Sequence, residues 1–400
     1  MSDKTNSLDN KHSDTLIAHA GRDPSAYHGV VNPPVVRTST ILHPTVEEWE
    51  KAKSIRTEHG QYVYGRIGTP LTEALEDAVA ALEGGDRAIT TSSGLGAVTT
   101  ALYAFLKAGD HALVADTVYG PARKAFDTLM VRAGVAVTFY DPCIGSDIKD
   151  LMQPETRVVY CESPGSLTFE VQDIPAISKV AHAHGAVVMM DNTWASPLYF
   201  KAFDHGVDVS IHAGTKYIVG HSDAMLGLVV VKQQHYDCLK QTAIMLGQCA
   251  GTEELYLGHR GFRTLSVRMP RHFENGMVVA EWLAGHEDVT AVLHPAMAND
   301  TNHKLWKRDF LGASGLFSFI TKHVGGSKVG ALIDDLELFG IGASWGGYES
   351  LVMPASPAAT RTATKWGHEG QLVRLHIGLE SPDDLINDLK AGFERARKVS

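Results

Sequence analysis

The chain has 400 residues, 44% of them hydrophobic and 20% charged, the balance of an ordinary soluble protein with room for two or three domains. Lys and Arg number 36 against 46 Asp and Glu, and the resulting charge of −10 argues against a nucleic-acid or anionic-membrane binder, though not against a small anion held by a few local groups. No window approaches the ~20 apolar residues of a membrane span. The four cysteines (Cys143, Cys161, Cys238, Cys249) form neither a CxxC pair nor a metal-ligand spacing, so buried free thiols in a reducing, cytoplasmic setting are expected.

The first 14 residues are polar and lack the apolar stretch of a signal peptide; disorder, or a position draped over a partner, is expected there. An irregular stretch containing Asn32-Pro33-Pro34 runs to about residue 66. Leu71–Leu82 carries apolar residues at helical spacing and stops at Gly84-Gly85. Ala88–Thr91 is strand-like, Leu95–Leu106 helical, His111–Ala115 strand-like, Arg123–Ala133 helical and Val135–Tyr140 again strand-like. Val158–Cys161, Val187–Met190 and Leu226–Val231 are further short apolar runs. Strands this apolar are buried on both faces, and their alternation with helices predicts an α/β layer around a mostly parallel sheet. From about residue 260 the texture changes. Basic helical text leads into Val278–Leu283, and strand-like Leu316–Ile320 and Leu372–Ile377 sit among helices, which predicts a smaller C-terminal α+β domain.

Three segments carry candidate chemistry. Thr91–Ala97 (Thr-Ser-Ser-Gly-Leu-Gly-Ala) lies between a strand and a helix, where small residues and free amides can receive a phosphate. A plain strand–helix turn capped by a serine has the same composition, so this segment does not decide alone. Gly94-x-Gly96 with Asp116 downstream also imitates a dinucleotide fingerprint. Against that, Thr99 stands where the third glycine belongs, and the helix is not expected to open from the first strand of the sheet. A nicotinamide-dependent oxidoreductase remains a remote alternative. Asp191 directly follows the apolar run Val187–Met190, at the sheet edge where α/β ligands bind. Lys216 stands among small residues in Ala213-Gly214-Thr215-Lys216-Tyr217, a setting in which a lysine loses its proton more easily and forms an imine. A helix N-terminus for a phosphate, an acid for a pyridine nitrogen and a lysine for an aldehyde together fit pyridoxal 5'-phosphate. His182 and His184 are expected to face different directions on a helix, so no metal pair is predicted.

The sequence resembles the cysteine/methionine-metabolism family of pyridoxal-phosphate enzymes from about Thr15 to the C-terminus. The resemblance rests on Tyr64-Gly65-Arg66, Ser93-Gly94, Asp116-x-x-Tyr119, Glu162-Ser163-Pro164-Gly165-Ser166 and Asp191-Asn192-Thr193-Trp194. It continues through Ala213–Asp223, Ser344-Trp345-Gly346-Gly347-Tyr348-Glu349-Ser350 and Arg374-Leu375-His376-Ile377-Gly378-Leu379-Glu380. The resemblance implies fold type I, with an arm over 1–66 contributing to a neighbouring subunit's site, a cofactor-binding α/β domain over 67–262 and an α+β domain over 263–400. It further implies that Lys216 carries the cofactor as a Schiff base and shuttles protons. Asp191 is implied to pair with the pyridinium nitrogen and Tyr119 to stack on the ring near the substrate amine. Gly94, Leu95 and Thr215 would hold the phosphate, together with Tyr64 and Arg66 from a neighbouring subunit of a dimer of dimers. Arg374 would clamp the substrate carboxylate with help from Ser344. Trp345, in a segment typical of the family's bacterial β-lyases, points with Glu162–Ser166 to β-elimination at the C–S bond of cystathionine, giving homocysteine, pyruvate and ammonia, and to a role in methionine synthesis. γ-Elimination, γ-replacement and cleavage of cysteine S-conjugates on the same scaffold are the alternatives, and a non-catalytic derivative of the fold is improbable with Lys216, Asp191 and Arg374 all present. Ala343 and Ala213 depart from common family residues. The first bears on the pocket wall, and the second shifts phosphate binding toward Thr215 and Arg66.

Overall fold

The computed structural model describes Leu8 and residues 11–399. Most of the polar N-terminal stretch therefore lies outside the described residues, and regular structure begins with the helix Ser13–His19.

The helix Pro70–Glu83 illustrates how the local signals are used. Thr69 caps it, exchanging hydrogen bonds with Thr72 in a capping box; Pro70 occupies the first turn, and Gly84 ends it at φ +84°. Seven strands follow: β1 (Arg87–Thr91), β2 (His111–Ala115), β3 (Ala136–Tyr140), β4 (Thr156–Glu162), β5 (Val187–Asp191), β6 (Val209–His212) and β7 (Gly227–Val231). They form one sheet in the order β1-β7-β6-β5-β4-β2-β3. Neighbours run parallel from β6 through β3, and only β7 is antiparallel to the strands beside it. Along β7, Val229 and Val231 join one apolar cluster with the helix Gly94–Phe105, while Leu228 and Val230 join another with Pro70–Glu83. The sheet is thus covered on both faces, which is why its strands carry no polar alternation. Burying each such side chain contributes about 1.5–3 kcal/mol.

The second sheet comprises β8 (Val289–Leu293), β9 (Leu316–Thr321), β10 (Gly340–Ile341), β11 (Leu351–Ala355) and β12 (Gln371–His376), ordered β10-β11-β12-β9-β8 and largely antiparallel. The helices Leu265–Ala284 and Pro382–Lys398 pack on it through Val279, Leu283, Leu389 and Phe393. Polar ties join the two sheets. Trp194 donates from Nε1 to the carbonyl of Leu316 at 2.9 Å. The buried carboxylate of Asp116, after β2, accepts from the amides of Thr362, Ala363 and Thr364 at 2.9–3.1 Å and from Arg123 at 2.9 Å. It thereby holds the loop that leads into β12.

Four expectations need correction. The helix expected over Arg123–Ala133 starts earlier, at Gly120, and passes through a π-helical stretch, Ala125–Met130. Strands β6, β8, β10 and β11 were not foreseen: β6 is four residues long and half polar, β10 has two residues, and β11 contains Pro354. The helix Gly94–Phe105 does follow the first strand of the sheet, but β1 is an edge strand whose one neighbour is the antiparallel β7, not the central strand of a dinucleotide fold. All four cysteines are free, but only Cys161 is buried.

Candidate active site

Because β2, β4, β5 and β6 run parallel, their C-terminal ends share one edge of the sheet, and that edge gathers the polar groups. Asp191 ends β5, paired in register with Glu162 at the end of β4. The Asp191 carboxylate accepts from the amide of Thr193 at 3.0 Å and from the Thr193 hydroxyl, whose oxygen in turn accepts from the amide of Ala213 at 2.9 Å. A chain of hydrogen bonds thus ties the acid to the segment that carries the lysine. Burial raises the pKa of Asp191, opposed by the Thr193 hydrogen bonds and by the charges of His212 and Lys216. An acid so placed favours a cationic partner.

Lys216 lies in a turn after β6, with its amide bonded to Ala213 and its carbonyl to Gly220. Its Nζ donates to Ser344 Oγ at 2.7 Å and stands 5.3 Å from the centre of the Trp345 ring. Burial, then the nearby charge of Arg374, brings its pKa down to about 8 against an opposing effect of Asp191. That change makes the free amine far more accessible near neutral pH than in a surface lysine.

Arg374, on β12, is 8% exposed and donates from Nη2 to the carbonyls of Ala343 and Ser344 at 2.8 and 3.2 Å. Burial lowers its pKa to about 10. Among the described residues it has no carboxylate in ion-pair range, so a substrate carboxylate meets no internal competitor. Tyr119 projects with 46% of its surface exposed, and its amide donates to the Glu162 carboxylate at 2.6 Å. Burial, then the charge of Asp191, pushes Glu162 well above the usual carboxylate range.

At the other end of the site the helix Gly94–Phe105 begins. Ser93 Oγ takes the amide of Gly96 at 3.1 Å, while the amides of Gly94 and Leu95 precede any intrahelical carbonyl partner. Gly94 is required by close packing: a Cβ there would lie 2.6 Å from that of Ala213, so the small Ala213 and the glycine bring helix and lysine segment together. The Thr215 hydroxyl is engaged with the backbone of Leu226, accepting from its amide at 2.8 Å and donating to its carbonyl at 3.2 Å. Tyr64 is 44% exposed, and Arg66 donates to the carbonyl of Ile244 at 2.7 Å. Neither is brought to Lys216 within the chain.

Pyridoxal phosphate needs an amine for its aldehyde, an anion for its ring nitrogen, a ring face and an anion cradle. Lys216, Asp191, Tyr119 and the Ser93–Gly96 helix start supply groups of the right chemistry. The arrangement defines a pyridoxal-phosphate-dependent enzyme of fold type I. The chain belongs to the Cys/Met metabolism PLP-dependent enzyme family, whose pattern it matches over residues 14–394. It is 49% identical, over the whole of both chains, to a Rhizobium johnstonii protein provisionally named a cystathionine beta-lyase. It is 42% identical to the cystathionine beta-lyase of Escherichia coli, covering 96% of this chain and 99% of that one. Its fold is similar to the cystathionine gamma synthase of Xanthomonas oryzae, solved with aminoacrylate and cysteine, with a TM-score of 0.89 at 34% identity over 98% of this chain and 100% of that one.

Several contributors were not legible in the sequence. Glu162 entered only as part of a motif and turns out to anchor Tyr119. Arg268 passed as basic helical text, yet its guanidinium is buried and donates to the carbonyls of Tyr217 and Gly261 at 2.7 and 2.8 Å, bracing the turn after Lys216. The partners that brace this turn are backbone carbonyls, which leave no residue-type signal. Thr193, two residues after an acid at a strand end, is the one whose role the local sequence could have suggested.

Proposed function

We propose that this enzyme cleaves the Cβ–S bond of L-cystathionine, releasing homocysteine, pyruvate and ammonia. The observation that carries this reading is the convergence of the Lys216 amine, the Ser344 hydroxyl and the Trp345 ring beside Arg374. The relatives named above support it.

When bound, pyridoxal phosphate supplies an electron sink that makes the substrate Cα–H acidic. Lys216 holds the cofactor at rest. Displaced by the substrate amine, its Nζ takes the Cα proton and returns it to the departing thiolate sulfur, so one lysine serves both steps without net consumption of a proton. The remaining three-carbon fragment leaves as aminoacrylate, which water converts to pyruvate and ammonia. Arg374 receives the substrate carboxylate through parallel N–H donors, a fit that an ammonium lacks. Ser344 steadies both Lys216 and that carboxylate. Asp191 would keep the ring nitrogen protonated, and Tyr119 would offer its ring face to the cofactor beside the substrate amine. Trp345 walls the side where the sulfur-bearing arm lies.

Gly94, Leu95 and Thr215 hold the phosphate, completed by Tyr64 and Arg66 from a second copy in a homotetramer built as a dimer of dimers. The exposure of Tyr64 and of apolar residues on the same arm, among them Leu42 at 87% and Val46 at 77%, supports this assembly. To hold a phosphate, the Thr215 hydroxyl would redirect the hydrogen bond that it now donates to the Leu226 carbonyl. We divide the chain into an arm over 1–66, a cofactor domain over 67–262 and a C-terminal domain over 263–400. The four free cysteines support a cytoplasmic location.

The test is to incubate the purified holoenzyme with L-cystathionine and identify the keto acid. Pyruvate with homocysteine is expected. 2-Oxobutyrate with cysteine would overturn the β-elimination reading and leave the cofactor assignment standing.

A further inference from the structure

The segment Ser344–Ser350 has no regular secondary structure, yet it carries two of the groups nearest Lys216. Its shape comes from β12 and the residues just after it. Gly378 donates to Ser350 Oγ at 2.9 Å, Leu379 to the carbonyl of Tyr348 at 2.8 Å, and Ser350 to the Glu380 carboxylate at 2.8 Å. At the end nearest the lysine, Arg374 holds the carbonyls of Ala343 and Ser344, and one imidazole meets the two glycines that follow Trp345.

His376 is 1% exposed and stands two residues beyond Arg374 on the same strand. Its Nε2 lies 3.1 Å from the amide of Gly346 and 3.0 Å from the carbonyl of Gly347. One ring nitrogen can accept from the first or donate to the second, never both, and either bond fixes the same turn. Nδ1 is buried without a partner. Donating from Nε2 to Gly347 leaves the Gly346 amide unpaired, whereas accepting from Gly346 leaves Nδ1–H and the Gly347 carbonyl unpaired, so each tautomer keeps one of the two bonds to the turn. Burial and the neighbouring His272 lower its pKa to about 3, so the ring is neutral at working pH. The imidazole also packs against His272 and Tyr217, with ring centres 5.2 and 6.0 Å away, and Tyr217 meets Trp345 at 5.5 Å.

The turn so held sits against the lysine backbone. Gly346 adopts φ +91°, and a Cβ there would fall 2.9 Å from the Lys216 Cα. A small displacement of this turn therefore moves Ser344 and Trp345 relative to the Lys216 amine directly.

We propose that His376 is a positioning residue which fixes the Ser344–Gly347 turn against Lys216, and that the turn so fixed selects cleavage at the β-carbon of a thioether amino acid. The proposal rests on the β-elimination reading above and deepens it. Nothing in the sequence distinguished His376, because both of its polar partners are backbone atoms of glycines.

The test compares His376→Phe, which keeps a ring and removes the hydrogen bond, with His376→Gln, whose terminal amide can reach the same backbone. Each is assayed as holoenzyme with L-cystathionine, reading kcat, KM and the ratio of pyruvate to 2-oxobutyrate. The phenylalanine variant is expected to lose about 10- to 100-fold in kcat, the effect of misplacing reacting groups by an ångström or less, and to release a larger share of 2-oxobutyrate. The glutamine variant should recover most of the wild-type rate and product ratio. Should His376→Phe not accumulate as holoenzyme, His376→Asn, too short to reach the turn, takes its place in the comparison. Equal losses in both variants with an unchanged product ratio would reduce His376 to core packing and overturn the proposal, as would wild-type behaviour of the phenylalanine variant. If the wild-type enzyme itself gives no pyruvate, the parent reading fails, and that result is distinct from either outcome.

Discussion

The two ends of the active site are built in different ways. At the amine end, Lys216, Ser344 and Arg374 come together within one chain, joined by direct hydrogen bonds across both sheets. At the phosphate end, Gly94 and Leu95 offer a helix start, but the Thr215 hydroxyl is bonded to Leu226 and Arg66 to Ile244. The comparison teaches that folding alone brings together the groups to which we assign proton transfer and carboxylate binding. Completion of the anion site depends on cofactor and, in our proposal, on a second copy. The difference is physical: a buried amine and guanidinium must be placed by the fold that desolvates them, whereas an exposed arginine on an arm is free to serve another chain.

Breaking the amine end at its centre has the largest expected effect. Lys216→Ala should lower keto acid release by roughly 10³- to 10⁴-fold, measured by single-turnover assay on protein given excess cofactor. The tie that holds the second sheet in place comes next. Asp116→Asn takes from buried Arg123 its nearer, buried anion and leaves only half-exposed Asp127 at 3.8 Å; it should cost about 2–4 kcal/mol, read from urea unfolding. The amides of Thr362 and Thr364, with Arg123, hold the Asp116 carboxyl below its ordinary pKa. Its stabilisation is therefore present above the unfolded carboxylate pKa and lost as pH falls through the lowered one. The asparagine variant should lack that acid-dependent loss, and an unchanged acid limb would show that the tie contributes nothing.

Arg374→Lys keeps the charge and loses the parallel donors. It should raise KM for cystathionine and lower kcat/KM by about 30- to 150-fold, equivalent to 2–3 kcal/mol. Arg66→Ala probes the other end and should weaken cofactor retention by about 10-fold, the effect of one charge-assisted hydrogen bond at a partly exposed anion. The comparison is sharpened by co-expressing Lys216→Ala with Arg66→Ala under limiting cofactor. If each site draws Arg66 from a second copy, mixed oligomers should restore the full residue set at up to about a quarter of the sites, by statistical pairing of the two variant chains. No recovery would place both residues in the same chain's site.

Much of the amine end was legible in the sequence, because a lysine among small residues and an acid after an apolar strand mark themselves by residue type. The mostly parallel sheet was legible too, since strands such as β2 and β7 are apolar throughout. What the sequence hid has a common cause. Strand β6 is short and carries Ser210 and His212, both of which bond Glu83 from a distant helix. Glu162, Arg268 and His376 act through backbone amides and carbonyls, which every residue possesses, so their partners cannot be named before the chain is folded.

The measurement that tests the central claim most directly is the site of covalent attachment. Reduction of the holoenzyme with sodium borohydride fixes the cofactor to the lysine that holds it, and peptide mass spectrometry locates the added group. The account predicts the label on the peptide containing Lys216 and its absence from Lys216→Ala. A label on Lys201 or Lys240, lysines also withdrawn from solvent, would contradict it.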